Sequence, residues 1–212
     1  MIDLRRRIPR EEFDSQVLMT ALSGYASPWD KVTRFLRHGD IIRVKKGLYV
    51  FGDHLRRRPF SRELLANLIY GPSFVSLDWA LSFHGLIPER VEAVTSVTTK
   101  RPKSFLTPVG TFIYRQSPRD AFFLGMDRVE DGDVAFLIAC PERALADKIR
   151  DDRGHSIRSA REAARYLFEN LRIDASEFAR MSPDLLGELA EKLHSNKVAV
   201  CARYLRSSRS PA

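Results

Sequence analysis

Asp131 and Asp133 stand one residue apart in Glu130-Asp131-Gly132-Asp133, the spacing with which nucleotidyl transfer holds metal ions against a triphosphate. The rest of that chemistry is missing. Such a site needs a Gly-Ser phosphate-binding turn shortly upstream, and the near glycine, Gly125, is followed by Met126. An Asp-Gly hairpin turn is the better reading. Metal-dependent nuclease chemistry needs an acid two residues before a strand lysine, and Thr98-Thr99-Lys100 has a threonine there. No Walker-type loop, His-Glu-x-x-His pair or Gly-x-Ser-x-Gly elbow occurs. His38, His54, His155 and His194 are scattered, and His84, between an apolar helix and Gly85, reads as a capping or core histidine. Glu142-Arg143 and Asp147-Lys148 read as surface ion pairs on a charged helix. No catalytic residue, metal ligand or cofactor is expected.

A second chemistry fits better. Lys31, Arg34, Arg37, Arg43, Lys45 and Lys46 fall within 16 consecutive residues, and concentrated cations neutralise phosphates by releasing condensed counterions. Residues 1–58 hold 13 Lys/Arg against 7 Asp/Glu, whereas residues 59–212 hold 22 against 20, so most of the net charge of +8 lies in the first quarter. The elements that must carry these cations are legible. Ser27 is placed to accept from free backbone N–H groups as an N-cap, Pro28 suits the first helical position, and Gly39 stops the helix after His38. Val32, Phe35 and Leu36 form the packing face; Lys31, Thr33, Arg34 and Arg37 fall on the others. Residues 40–51 then make two β-branched and aromatic runs around a Lys46-Gly47 turn, a hairpin with a cationic tip.

Asp14 begins a preceding helix with Val17, Leu18, Ala21 and Leu22, giving a helix-turn-helix, and with the hairpin a winged helix over residues 1–58. In such a unit the second helix enters the major groove. Arg34 or Lys31 is then placed to read guanine, Thr33 a thymine methyl or phosphate, Arg37 a phosphate, and Arg43, Lys45 and Lys46 the flanking backbone. Ser27 and the helix N-terminus suit a phosphate clamp, and Trp29 either stacks on sugar or closes the small core. Residues 1–10, with Arg5-Arg6-Arg7, read as an irregular arm.

Beyond Arg56-Arg57-Arg58-Pro59 the pattern changes. Ser61 caps a helix ended by Gly71-Pro72, and residues 73–140 read as mostly sheet, with strands at 73–76, 93–99, 121–128 and 134–140 and a hairpin over 104–115. Helices follow at 141–149, 156–171, 182–194 and 198–205, with residues 207–212 a disordered tail. The expected fold is α+β: a winged helix-turn-helix at 1–58, then a mixed α/β domain at 59–212, β-rich at 73–140 and helical at 141–206. An apolar fraction of 44% supports a packed core. The longest apolar run, residues 134–140, is far below the roughly 20 residues that span a bilayer. Residues 1–10 are too charged for a secretory signal, so the cytoplasm is the default compartment, and Cys140 and Cys201 read as buried thiols. No heptad seam is present, so a monomer that pairs at most on DNA is expected.

Four strings carry a family resemblance: Gly24-Tyr25-x-x-Pro28; Ile42-Arg43-Val44-Lys45-Lys46-Gly47-Leu48-Tyr49-Val50; Val75-Ser76-Leu77-x-x-Ala80-Leu81-Ser82-Phe83-His84-Gly85-Leu86-Ile87-Pro88-Glu89; and Thr95-Ser96-Val97-Thr98-Thr99-Lys100-Arg101. Over about residues 13–150 the chain resembles the AbiEi-type antitoxins of type IV toxin–antitoxin systems. The resemblance implies a bacterial antitoxin whose winged helix represses its own operon at inverted repeats in promoter DNA, while residues 59–212 counteract a nucleotidyltransferase-like toxin. His84, Lys100, Arg101 and Lys103 are the polar antitoxin candidates inside the likeness. Two other readings stay open: a winged-helix regulator with a small-molecule-sensing second domain, and an enzyme whose site has no linear signature.

Overall fold

A computed structural model describes residues 4–209 as a mixed α+β protein with ten helices and two sheets among them. The N-terminal unit runs α1 (Leu4–Arg7), β1 (Glu12–Asp14), α2 (Ser15–Ala21), α3 (Pro28–His38), β2 (Ile41–Lys45) and β3 (Leu48–Phe51). Its strands form an antiparallel sheet in the order β1-β3-β2, with Glu12 opposite Val50 and Arg43 opposite Tyr49. Asp14 caps α2 by accepting from the Val17 N–H at 2.8 Å.

The expected N-terminal arm is corrected for residues 4–8; residues 1–3 lie outside the described residues. Leu4 and Ile8 are buried, and the Arg5 guanidinium is buried too, donating to the Ile8 and Arg10 carbonyls and pairing with fully buried Glu11. Burying a positive charge is costly, and pairing with a carboxylate and donating to carbonyls offset part of that cost.

β3 has both faces covered. Tyr49 and Phe51 pack with Leu18, Leu22, Val32 and Ile41, whereas Leu48 and Val50, with Val44 of β2, join the cluster that contains Leu65, Ile69 and Phe74. The hairpin is therefore a shared wall between the N-terminal unit and everything after it.

That remainder is built on α4 (Arg62–Ile69) and a six-stranded mixed sheet of β4 (Ser73–Val75), β5 (Val94–Thr98), β6 (Lys103–Thr107), β7 (Gly110–Gln116), β8 (Met126–Asp131) and β9 (Val134–Ala139), ordered β6-β7-β5-β4-β9-β8. α4 packs on β4 and β9, and its Ala66 carbonyl accepts from buried Tyr114 at 2.7 Å. α5 (Leu77–Phe83) packs on β5 and α6 (Pro141–Asp151); α7 (Ala160–Ala164) continues into π-helical turns at Arg165–Asn170; α8 (Ala175–Arg180), α9 (Pro183–Lys192) and α10 (Asn196–Arg209) complete the helical end.

Three local expectations need correction. The strand expected at 121–128 begins only at Met126, because the Ala121 and Leu124 carbonyls turn inward to accept from Arg143. Arg143 and Asp147 are not on the surface: both are buried, and the guanidinium also donates to Asp147 at 2.8 Å and to Ser117 Oγ at 2.8 Å, while Ser76 Oγ donates to Asp147 at 2.7 Å. Ser207 to Arg209 extend α10 rather than fraying, the Arg209 guanidinium donating to the Ala179 and Met181 carbonyls; residues 210–212 lie outside the described residues. Cys140 and Cys201 are buried free thiols, each pushed up to about 12 by burial.

Candidate nucleic-acid interface

α3 has its expected ends. Pro28 occupies the first turn and Gly39, at φ 74°, provides the left-handed cap, after which the Asp40 N–H returns to the Phe35 carbonyl at 2.9 Å. Ser27 sits at the N-cap, but its side chain makes no capping bond. Its ψ of 78° departs from the extended backbone that turns a cap hydroxyl back onto the first N–H groups. Val32 is buried and Phe35 and Leu36 are half-buried against the N-terminal core.

The other face of α3 meets solvent. Trp29 is 60% exposed, so it does not close the core. Thr33, Arg34 and Arg37 are exposed, with the Thr33 hydroxyl donating to the Trp29 carbonyl at 3.0 Å. Lys31 is half-buried with its ammonium 4.7 Å from the Tyr25 ring centroid. On the hairpin, Gly47 takes φ 86° at the turn, and Arg43 and Lys46 are exposed. Arg34, Arg37, Arg43 and Lys46 make no ion pair among the described residues.

Lys45 departs from its expected place on the wing surface. Its ammonium crosses to the end of α4 and donates to the Ile69 carbonyl and, at 3.4 Å, to that of Leu68. The last carbonyls of a helix lack intrahelical partners, and a lysine within reach satisfies them. Burial, then the charges of Lys100 and Lys103, hold Lys45 below the ordinary lysine value.

Two antitoxin candidates meet Lys45 there. Lys100 donates to the Gly71 carbonyl with its ammonium 5.3 Å from the Tyr70 ring centroid, and the Lys103 ammonium lies 5.9 Å from Tyr70 and 4.9 Å from Phe105. Arg101, between them in sequence, is exposed, and its carbonyl accepts from the Tyr70 hydroxyl at 3.3 Å. His84 does not join this group: it ends α5, donates from Nε2 to the Ala139 carbonyl at 2.7 Å and packs edge-on against Phe83. Tyr70, whose ring Lys100 and Lys103 share, has one signal in the sequence, an aromatic residue at a helix end before Gly71-Pro72.

Comparison with family models gives no match, and comparison with curated proteins gives none.

Asp131 and Asp133 flank the turn of the β8–β9 hairpin, where Asp131 stands opposite Val134. Asp133 pairs with Arg58 Nε at 2.6 Å, which holds its carboxyl below the usual range, and Arg58 also reaches buried Glu12 at 3.3 Å. The Asp-Gly turn thus fastens the second sheet to the N-terminal unit. A cavity of about 520 Å³ lies where Thr95 and Ile113 face Asn170 and Leu171. Its lining is charged: Asp78 pairs with Lys148, and Glu89 pairs with Arg172.

Proposed function

We propose that this protein is a non-catalytic, cytoplasmic DNA-binding repressor of winged-helix build, and that it also serves as the antitoxin of a type IV toxin–antitoxin pair. The element order helix, strand, helix, helix, strand, strand, with β1 beside β3, supports the winged-helix reading. The observation that carries the DNA reading is the outer face of α3 and its hairpin: Arg34, Arg37, Arg43 and Lys46 are exposed, as is Trp29, and none of the four cations has an acidic partner among the described residues. Exposed cations left unpaired by the fold are available to phosphates and base edges.

In this reading α3 enters the major groove of promoter DNA at inverted repeats. Lys31 is engaged with Tyr25, which leaves Arg34 as the base-reading side chain, and Arg37, Arg43 and Lys46 hold phosphates. Trp29 packs on the sugar edge. The antitoxin half rests on the sequence strings at residues 75–89 and 95–101, which resemble the AbiEi type.

The test is made in cells with the full chain. A reporter behind the upstream promoter is expected to be silenced by the wild type and released by Arg34→Ala, and co-expression is expected to restore growth inhibited by the nucleotidyltransferase-like neighbour. Unchanged reporter output with soluble protein present contradicts the repressor reading; growth arrest despite soluble protein contradicts the antitoxin reading alone.

A further inference from the structure

Three ammonium groups meet at the seam between the two halves of the chain, and exposed Arg101 lies beside two of them in sequence. Lys45 comes from β2, Lys103 opens β6, and Lys100 and Arg101 lie in the link between β5 and β6. Lys100 and Lys103 share the ring of Tyr70, and Lys45 lies close enough for both to bear on its charge. The Lys45 ammonium rests on the last carbonyl of α4, that of Ile69, and the Lys100 ammonium on the Gly71 carbonyl just beyond the helix. A helix C-terminus supplies only about half a negative charge, so it offsets a small part of four positive ones. None of the four is ion-paired among the described residues. The fold has gathered like charges from sequence positions more than 50 residues apart without supplying the counter-charge.

The cluster is continuous with the hairpin. Arg43 and Lys46 flank Lys45 in sequence and are exposed, so a polyanion lying along the hairpin meets the seam next. We propose that Lys45, Lys100, Arg101 and Lys103, arranged about Tyr70, form a phosphate-binding site through which the second half of the chain grips the nucleic-acid backbone beyond the footprint of α3. This rests on the DNA-binding reading above and assigns Lys100, Arg101 and Lys103 a role in DNA contact. The chemistry is that of ammonium and guanidinium groups donating to phosphate oxygens, which carries no base preference.

The test uses the full chain and two variants, Lys103→Gln and Lys100→Gln/Lys103→Gln. The Lys103 ammonium makes only ring contacts among the described residues, so Lys103→Gln is expected to keep the wild-type thermal midpoint. Affinity is measured against salt on a long promoter duplex and on a scrambled duplex of equal length. The log–log slope is expected to flatten by about one unit for the single variant and about two for the double, with the cognate-to-scrambled ratio unchanged. A parallel titration with inorganic phosphate, read by the NMR shift of the lysine methylenes, distinguishes a backbone phosphate from a free one. Wild-type DNA binding with unchanged slopes in both variants overturns the seam site alone, and phosphate binding lost in the variants while those slopes hold assigns the site to a small anion and overturns it equally. A wild type that binds no duplex overturns the DNA reading itself, and this proposal with it.

Discussion

A fragment ending at Arg58 retains every residue of α3 and the hairpin, yet it is expected not to fold. Val44, Leu48 and Val50 are 4%, 4% and 0% exposed in the intact chain, and all three belong to the cluster built on Leu65, Ile69 and Phe74. Returning each to water costs about 1.5–3 kcal/mol, or about 5–9 kcal/mol together. A domain of about 60 residues buries only some 60% of its unfolded surface and has little margin against such a loss. Buried Glu12 also loses the Ser61 N–H, and Lys45 loses its helix-end carbonyls. Far-UV circular dichroism of residues 1–58 through a urea titration is the assay, and a broad, non-cooperative decline is the expected result. A sharp transition with a free energy above about 2 kcal/mol would refute the argument that β3 is a shared wall.

Three further outcomes are expected. Arg143→Ala leaves Asp147 buried with only Ser76 as partner, and the loss is about 3–5 kcal/mol in urea unfolding; a loss under about 1 kcal/mol contradicts the buried network. Burial raises the Asp152 carboxyl, but bonds from the Gly154 N–H, Tyr166 and His155 outweigh it, so its folded value lies below the ordinary one. Its stabilisation is therefore full above the ordinary carboxylate range and fades as pH falls through the folded value; Asp152→Asn should flatten stability between about pH 5 and pH 2, and parallel curves would count against this. Arg34→Ala is expected to lose about 1–3 kcal/mol on cognate DNA only, whereas Lys46→Ala weakens all sequences alike and lowers the salt slope by about one unit; equal behaviour of the two variants on cognate and scrambled duplexes contradicts the assignment.

Local signals made α3 and its hairpin readable. Pro28 and Gly39 mark helix ends by backbone chemistry alone, and Gly47 marks the turn for the same reason. Asp14, Ser61 and Ser182 each accept the N–H that their helices leave free. What sequence could not reveal depends on contacts distant along the chain. The i,i+4 spacing of Arg143 and Asp147 is the same whether the pair faces water or core, and only the 117–125 loop closing over it buries it. The apolar residues Ala121 and Phe122 mimic a strand because the carbonyls that spoil it are used by a side chain 22 positions away. The start expected at Ser156 moves to Ser159, whose capping box with Glu162 satisfies both N–H groups. α8 buries a single side chain, Phe178, too few to set a period. Of the candidate DNA residues, Trp29, Thr33, Arg34, Arg37, Arg43 and Lys46 lie exposed as their helical or strand positions imply, while Lys45 is redirected by a helix end 24 residues on.

Binding of the purified full chain to its own upstream promoter duplex, followed by fluorescence anisotropy across a salt series, separates a DNA-binding repressor from a protein that ignores DNA. Tighter binding to that duplex than to a scrambled one is expected, with a steep loss of affinity as salt rises. Absence of any binding in dilute buffer, by folded protein, would contradict the repressor reading.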